Sequence, residues 1–282
     1  MTIKSVGIIG SGIMGSGIAQ VAATSGFDVV LRSRKQESAE QTVAAMQKSL
    51  EKLVAKERMS QEDADAAVAR VTATSKLDDL ADCDLVIESV VEDLATKVAL
   101  FNDLDHHCKD DAILATNTST LSVIEMAVET RRPERVCGVH FFNPAPMMSL
   151  VEIIKTLVTS DETIAEVRQF AEACGKSPVE VKDRAGFIVN HLLFPYLNNA
   201  VRMLENGTAS RDDIDSAMKG GANFPMGPFA LLDLVGLDTS LSILDALYDE
   251  FRDPHYAASP MLRRMVSAGH LGRKSGAGFY EY

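Results

Sequence analysis

The stretch Val6-Gly7-Ile8-Ile9-Gly10-Ser11-Gly12-Ile13-Met14-Gly15 decides the fold. An apolar run ends in Gly10-x-Gly12-x-x-Gly15 and passes directly into a helical pattern. That strand-turn-helix setting is the one in which the glycine spacing holds a dinucleotide. Gly10 permits the tight turn, Gly12 lets the backbone approach a pyrophosphate, and Gly15 lets the helix pack closely on the strand. The helix N-terminus presents its unpaired N–H groups to the anion, with Ile13 and Met14 among the cofactor contacts.

The next apolar run, Val29-Val30-Leu31, should end in an acid that holds a ribose 2′-hydroxyl. Arg32-Ser33-Arg34-Lys35 stands there instead. A carboxylate would repel a 2′-phosphate, whereas the Ser33 hydroxyl can donate to it and Arg34 can pair with it. The reading is NADP in preference to NAD, with NAD possible; the competing reading is a solvated basic loop.

The rest of the first half alternates apolar runs with helical stretches. Strands are expected at 5–10, 28–31, 70–74, 85–89, 112–117 and 135–142, then at 150–156 and 178–181. Helices are expected at 13–25, 37–58, 94–108, 122–129 and 161–174. Continuous Val/Ile runs without clean alternation suit strands covered on both faces. The order predicts an α/β fold with a Rossmann-like, doubly wound, mostly parallel sheet. Past Lys182-Asp183-Arg184-Ala185-Gly186 every run has helical period: 187–205, 211–219, 229–235, 238–251 and 260–268. The expectation is a dinucleotide-binding domain at 1–186 and an all-helical substrate and dimerisation domain at 187–282. The apolar faces of those helices would either build the domain's own core or be buried in part by a second copy.

With 282 residues, 46% of them hydrophobic and 24% charged, the chain has the composition of a soluble globular protein. A formal charge of −12 argues against nucleic acid and anionic membranes as partners. No apolar run approaches a membrane span, and the opening MTIKSVGIIG lacks the features of a signal peptide. Cys83, Cys108, Cys137 and Cys174 form no C-x-x-C and read as reduced, buried thiols, with no metal site expected. Together these point to a cytoplasmic protein.

Two residues then suggest chemistry. His140, in Val139-His140-Phe141-Phe142-Asn143-Pro144, falls at the C-terminal end of a predicted strand, the edge where open α/β sheets bind ligands. Glu152 is embedded in the apolar run Leu150-Val151-Glu152-Ile153-Ile154. A buried carboxylate needs a partner, and a histidine is a natural one. Taken singly, each residue has a structural reading: a turn histidine, and a glutamate on an exposed strand face.

Several ordered motifs together resemble the 3-hydroxyacyl-CoA dehydrogenase family. They are the glycine loop, Asn117-Thr118-Ser119, His140-Phe141-Phe142-Asn143-Pro144, Leu150-Val151-Glu152, Gly186-Phe187-Ile188-Val189-Asn190 and the C-terminal Leu271-Gly272-Arg273-Lys274-Ser275-Gly276-Ala277-Gly278-Phe279-Tyr280. The likeness runs through the whole chain, and the length matches the family's short, single-function members. The resemblance implies that His140 exchanges a proton with the substrate 3-hydroxyl as hydride moves at C3, and that Glu152 orients the imidazole and stabilises its cation. It implies that Ser119 and Asn190 hydrogen-bond the reacting oxygen, Asn190 from the second domain. For Ser119 the alternative is a helix N-cap.

Further positions follow from the same likeness. Glu92, Lys97 and Asn117 are dinucleotide contacts, although Glu92 and Lys97 would also suit a solvated helix start. Asn143 belongs near nicotinamide and substrate, or simply to a turn before Pro144. Lys52 and Lys56 continue a row begun at Lys48 and would anchor the phosphates of CoA, unless the row is only a solvated helix face. The implied substrates are acetoacetyl-CoA and 3-hydroxybutyryl-CoA, and the implied assembly is a homo-oligomer, at least a dimer. Two rival readings are a β-hydroxyacid dehydrogenase acting on a free acid and a non-catalytic dinucleotide-binding structural protein. The first group resembles one another around a catalytic lysine, and the presence of His140, Glu152, Ser119 and Asn190 argues against the second.

Overall fold

A computed structural model of the chain describes residues 3–282. Met1 and Thr2, which open the stretch considered above for a signal peptide, lie outside them. The strands are β1 (Ser5–Ile9), β2 (Asp28–Arg32), β3 (Val71–Thr74), β4 (Leu85–Glu88), β5 (Ile113–Thr116), β6 (Val136–Phe141), β7 (Leu150–Lys155) and β8 (Ser177–Lys182). They form one sheet in the order β3-β2-β1-β4-β5-β6-β7-β8. From β3 across to β6 every pairing is parallel, whereas β7 runs antiparallel to β6 and β8 runs parallel to β7. The strand order therefore reverses beside β1, between β2 on one side and β4 on the other. That reversal opens a crevice at the carboxyl ends of β1 and β4, where doubly wound sheets take their ligands.

Burial explains the runs that mark these strands. Every residue of β4, β5 and β6 is buried, as expected for strands covered on both faces. The helices α1 (Ile13–Thr24), α2 (Gln36–Val54), α3 (Gln61–Ala69), α4 (Leu94–His107), α5 (Val123–Ala127) and α6 (Asp161–Ala173) complete this part of the chain. Ile18, Ala22, Met46, Leu50, Val167 and Phe170 on α1, α2 and α6 join the sheet residues in one core.

Three local expectations are corrected. The second helix stops at Val54 rather than reaching Arg58, because Arg58 N–H turns back to the Leu53 carbonyl and Glu57 takes a left-handed conformation (φ 56°). Lys56 therefore lies beyond α2, and only Lys48 and Lys52 share its face. Next comes α3, absent from the expected helices, which Ser60 starts by accepting Asp63 N–H. The helix read at 122–129 is also shorter, Val123–Ala127, and the Asp183 carboxylate accepts the Val123 and Ile124 N–H groups at its start.

The chain divides into two units, Met1–Asp183 and Arg184–Tyr282. The second holds α7 (Val189–Glu205), α8 (Arg211–Gly221), α9 (Pro228–Val235), α10 (Leu237–Phe251) and α11 (Pro260–Ser267). Phe194, Leu197, Phe229, Leu244 and Leu262 form its own core. Two buried aspartates tie it together. Asp215 accepts the Phe229 and Ala230 N–H groups at the start of α9 and the Tyr280 hydroxyl. Asp233 accepts the Phe279 and Tyr280 N–H groups and the Tyr282 hydroxyl, which fastens the C-terminal tail. All four cysteines are buried free thiols, and burial pushes those of Cys83 and Cys137 up to about 12. No helix among the described residues is long and apolar enough to cross a membrane.

Candidate active site

The glycine loop joins β1 to α1, and its three glycines have separate duties. Gly10 has φ 121°, and a side chain there would strike the Ser89 carbonyl at the end of β4. A side chain on Gly15 would strike the Gly10 carbonyl, so this glycine permits the close approach of α1 to the turn. A Cβ on Gly12 would meet nothing within 4 Å. Space left bare on the open side of the loop, above a helix start with no side-chain cap, fits a pyrophosphate.

At the end of β2, the Ser33 hydroxyl lies 2.9 Å from the Ser11 hydroxyl of the glycine loop, and Ser33 N–H donates to the Thr74 carbonyl. Arg34 and Lys35 are exposed beside it. Arg32 donates through Nε to the Ser75 carbonyl at 3.3 Å. Burial, and then the neighbouring Arg34 charge, lower the Arg32 guanidinium below its ordinary value. Arg32, Arg34 and Lys35 thus gather three cationic side chains at this corner of a chain of net charge −12.

A polar network joins the carboxyl ends of β4 and β5. Lys97, in the first turns of α4, is only 1% exposed, and its ammonium lies 2.6 Å from Glu88 Oε1 and 3.3 Å from Glu92 Oε2. The other oxygen of Glu92 accepts the Thr118 hydroxyl at 2.5 Å, the Ser119 N–H at 2.9 Å and the Ser119 hydroxyl at 3.3 Å. Ser119 is thus not the N-cap of α5, a position that Ser122 occupies. Lys97 is buried and so not part of a solvated helix start, whereas Glu92 keeps 39% exposure just ahead of Asp93, the α4 cap. Asn117 ties two strand ends: its Oδ1 accepts Phe141 N–H at 2.8 Å, one residue past His140.

The β6–β7 register places His140 directly opposite Glu152. His140 Nδ1 lies 2.7 Å from Glu152 Oε2, with side-chain exposures of 8% and 0%. An ionised Glu152 can only accept, so in that pairing the ring donates through Nδ1. The Phe142 ring lies 4.4 Å from the imidazole, centroid to centroid, and adds an apolar wall. Asn143 follows, exposed, before Pro144. Ile13 is exposed at the start of α1, while Met14 packs against the core. Lys52 is exposed on α2 and Lys56 in the turn after it. Asn190 is buried in the first turn of α7, in the second unit.

Glu88 and Ser11 did not stand out in the sequence. Glu88 carried a visible signal, as a lone acid closing the apolar run Leu85-Val86-Ile87. Ser11 carried none beyond its place inside the glycine motif.

A Rossmann-type sheet with an intact glycine loop is the frame of the nicotinamide-dinucleotide oxidoreductases, and here a buried His–carboxylate pair stands at its ligand edge. Two family models match the chain: 3-hydroxyacyl-CoA dehydrogenase, NAD binding domain, over residues 5–184, and 3-hydroxyacyl-CoA dehydrogenase, C-terminal domain, over residues 186–282. The chain belongs to the 3-hydroxyacyl-CoA dehydrogenase family. It is 48% identical to a 3-hydroxybutyryl-CoA dehydrogenase of Clostridioides difficile, covering 98% of each chain. Identity to the 3-hydroxybutyryl-CoA dehydrogenase of Mycobacterium tuberculosis is 47% over 99% of each. The crystal structure of (S)-3-hydroxybutyryl-CoA dehydrogenase from Ralstonia eutropha superposes with a TM-score of 0.98 at 43% identity, covering 100% of this chain and 99% of that one.

Proposed function

We propose that this enzyme is a 3-hydroxybutyryl-CoA dehydrogenase, interconverting (S)-3-hydroxybutyryl-CoA and acetoacetyl-CoA with NADP as the preferred dinucleotide. The buried His140–Glu152 pair carries the reading. When bound, the nicotinamide accepts or returns the hydride at C3. His140 Nε2 takes the proton of the 3-hydroxyl in oxidation and gives it back in reduction. Glu152 holds the ring through Nδ1 and stabilises the imidazolium between those steps. Ser119 and Asn190 hydrogen-bond the reacting oxygen, which polarises the ketone.

The glycine loop, Ile13, Met14, Asn117 and Asn143 hold the dinucleotide. Glu92 meets it directly, and Lys97 serves from beneath through Glu92. Preference for NADP is supported by Ser33 in place of an acid and by the uncompensated charge of Arg34 beside it. Lys52 and Lys56, both exposed, bind CoA phosphates. The domain roles divide at 186/187, and the helical domain forms the homo-oligomer; exposed Leu192, Met203, Phe224 and Leu234 support this. The proposed setting is cytoplasmic.

The test is kcat/KM on acetoacetyl-CoA with NADPH and with NADH, followed at the nicotinamide absorbance band. Turnover with a clear NADPH preference is expected. Absence of turnover overturns the substrate assignment, and an NADH preference overturns the NADP assignment alone.

A further inference from the structure

We propose that Glu88 is a positioning residue for the dinucleotide: it takes up the charge of Lys97, so that Glu92 meets the cofactor as an acceptor bearing its full negative charge. This rests on the reading of Glu92 as a dinucleotide contact.

Glu88 closes β4 and is 0% exposed. An ionised carboxylate at such depth is tolerated only when paired and hydrogen-bonded. Both its oxygens are engaged. Oε1 accepts the Lys97 ammonium at 2.6 Å and the Val90 N–H at 2.5 Å, and Oε2 accepts the Thr116 hydroxyl at 2.8 Å. Thr116 Oγ1 in turn accepts the Thr118 N–H at 3.1 Å, so the hold extends into the segment that carries Ser119.

The charge count is what gives Glu88 a role beyond packing. Two carboxylates share one ammonium, which leaves one negative charge among three groups. The distances say where it resides: Lys97 sits on Glu88 at 2.6 Å and only approaches Glu92 at 3.3 Å. Glu92 is also the exposed member, at 39% against 0% and 1%, and its Oε1 already takes donors from Thr118 and Ser119. Without the charge on Glu88, Lys97 would pair with Glu92 alone. Glu92 would then be a neutralised ion pair and a weaker acceptor for a ribose hydroxyl.

The substitution Glu88→Gln keeps the volume and an oxygen for the Val90 N–H but removes the charge. The probe is reduced dinucleotide alone, titrated by its fluorescence into wild type, Glu88→Gln, Glu92→Gln and the double variant, with thermal melts as the check on folding. Glu92→Gln and Glu88→Gln are each expected to weaken binding roughly tenfold, and the double variant to be no weaker than Glu92→Gln. If Glu92→Gln weakens binding while Glu88→Gln stays within about twofold of wild type, or if the two losses multiply, the role of Glu88 is overturned. Unchanged binding by Glu92→Gln overturns the reading of Glu92 and the proposal with it. Should Glu88→Gln fail to fold, Glu88→Asp keeps the charge but draws it back from Lys97 by one methylene. Lys97 then leans on Glu92, and binding of the reduced dinucleotide is expected to weaken at least about threefold. Affinity indistinguishable from wild type in that folded variant overturns the proposal.

Discussion

The hydroxyls of Ser11 and Ser33 lie 2.9 Å apart and join the glycine loop after β1 to the end of β2. A hydroxyl pair satisfies itself with one bond and still has a proton to offer an outside acceptor. Ser33→Asp would reverse this: the carboxylate accepts the Ser11 hydroxyl and a ribose 2′-hydroxyl, and it repels a 2′-phosphate. The ratio of kcat/KM for NADPH over NADH is expected to fall by roughly ten- to a hundredfold. An unchanged ratio would show that Ser33 has no part in discrimination.

Gly12→Ala separates ligand space from protein space. The backbone there is extended (φ −75°, ψ −177°), and the added methyl meets no protein atom within 4 Å. The melting temperature is expected to stay within about 2 °C of wild type, while dinucleotide affinity falls at least about tenfold. Gly15→Ala would strike the Gly10 carbonyl and should lower both quantities. Calorimetry and fluorescence titration on the two variants measure the contrast.

Substitution in the dyad is expected to act on turnover. His140→Gln and Glu152→Gln should each lower kcat by roughly 10²- to 10⁴-fold, the span for loss of a positioned acid–base group. KM for acetoacetyl-CoA should change far less. Steady-state kinetics of the double variant should show no further loss, since the two act as one unit; independent, multiplying losses would contradict the pairing.

Acid should weaken the first unit through Asp84. Burial raises this carboxyl, but the Lys109 ammonium and the Ser5 and Lys4 N–H groups outweigh it and hold it at about 2. Because the folded value lies below the ordinary one of 3.8, its stabilisation is present above pH 4 and is lost as pH falls toward 2. At pH 7, Asp84→Asn is expected to cost about 1–2 kcal/mol in urea unfolding, allowing for the part-exposed Lys109. The gap from wild type should close as the pH is lowered through that window, and a gap constant with pH would refute the assignment.

What the sequence disclosed depended on how local each signal was. Buried parallel strands announce themselves as unbroken apolar runs, so Leu85-Val86-Ile87 and Ile113-Leu114-Ala115 were legible without a partner in view. Helix α3 was not, because its buried face consists of Ala64 and Ala67, which barely register as apolar period. The end of α2 lacked the glycine that usually marks such a stop, since Glu57 adopts the left-handed conformation itself. In the site, Glu152 declared itself by standing inside an apolar run, and the opposing register did the rest. The bond from Ser119 to Glu92 depends on β4 and β5 lying side by side, 27 positions apart in sequence, which no local pattern reveals. The grip of Asp233 on Phe279 spans 46 positions and was hidden for the same reason.

The antiparallel turn from β6 to β7 has a further consequence, for how the chain can change in length. A helical crossover would have put a whole helix of sequence between His140 and Glu152, as α4 does between β4 and β5; the return strand brings them together 12 positions apart. Residues added at the exposed Pro146-Met147 tip of the connecting segment lengthen an excursion and leave the strands opposed. One residue added inside β7 before Glu152 would send that carboxylate to the opposite side of the sheet, away from the imidazole. Descendants of this sequence can therefore accept insertions at that exposed tip, but the half-strand from Leu150 to Glu152 tolerates none.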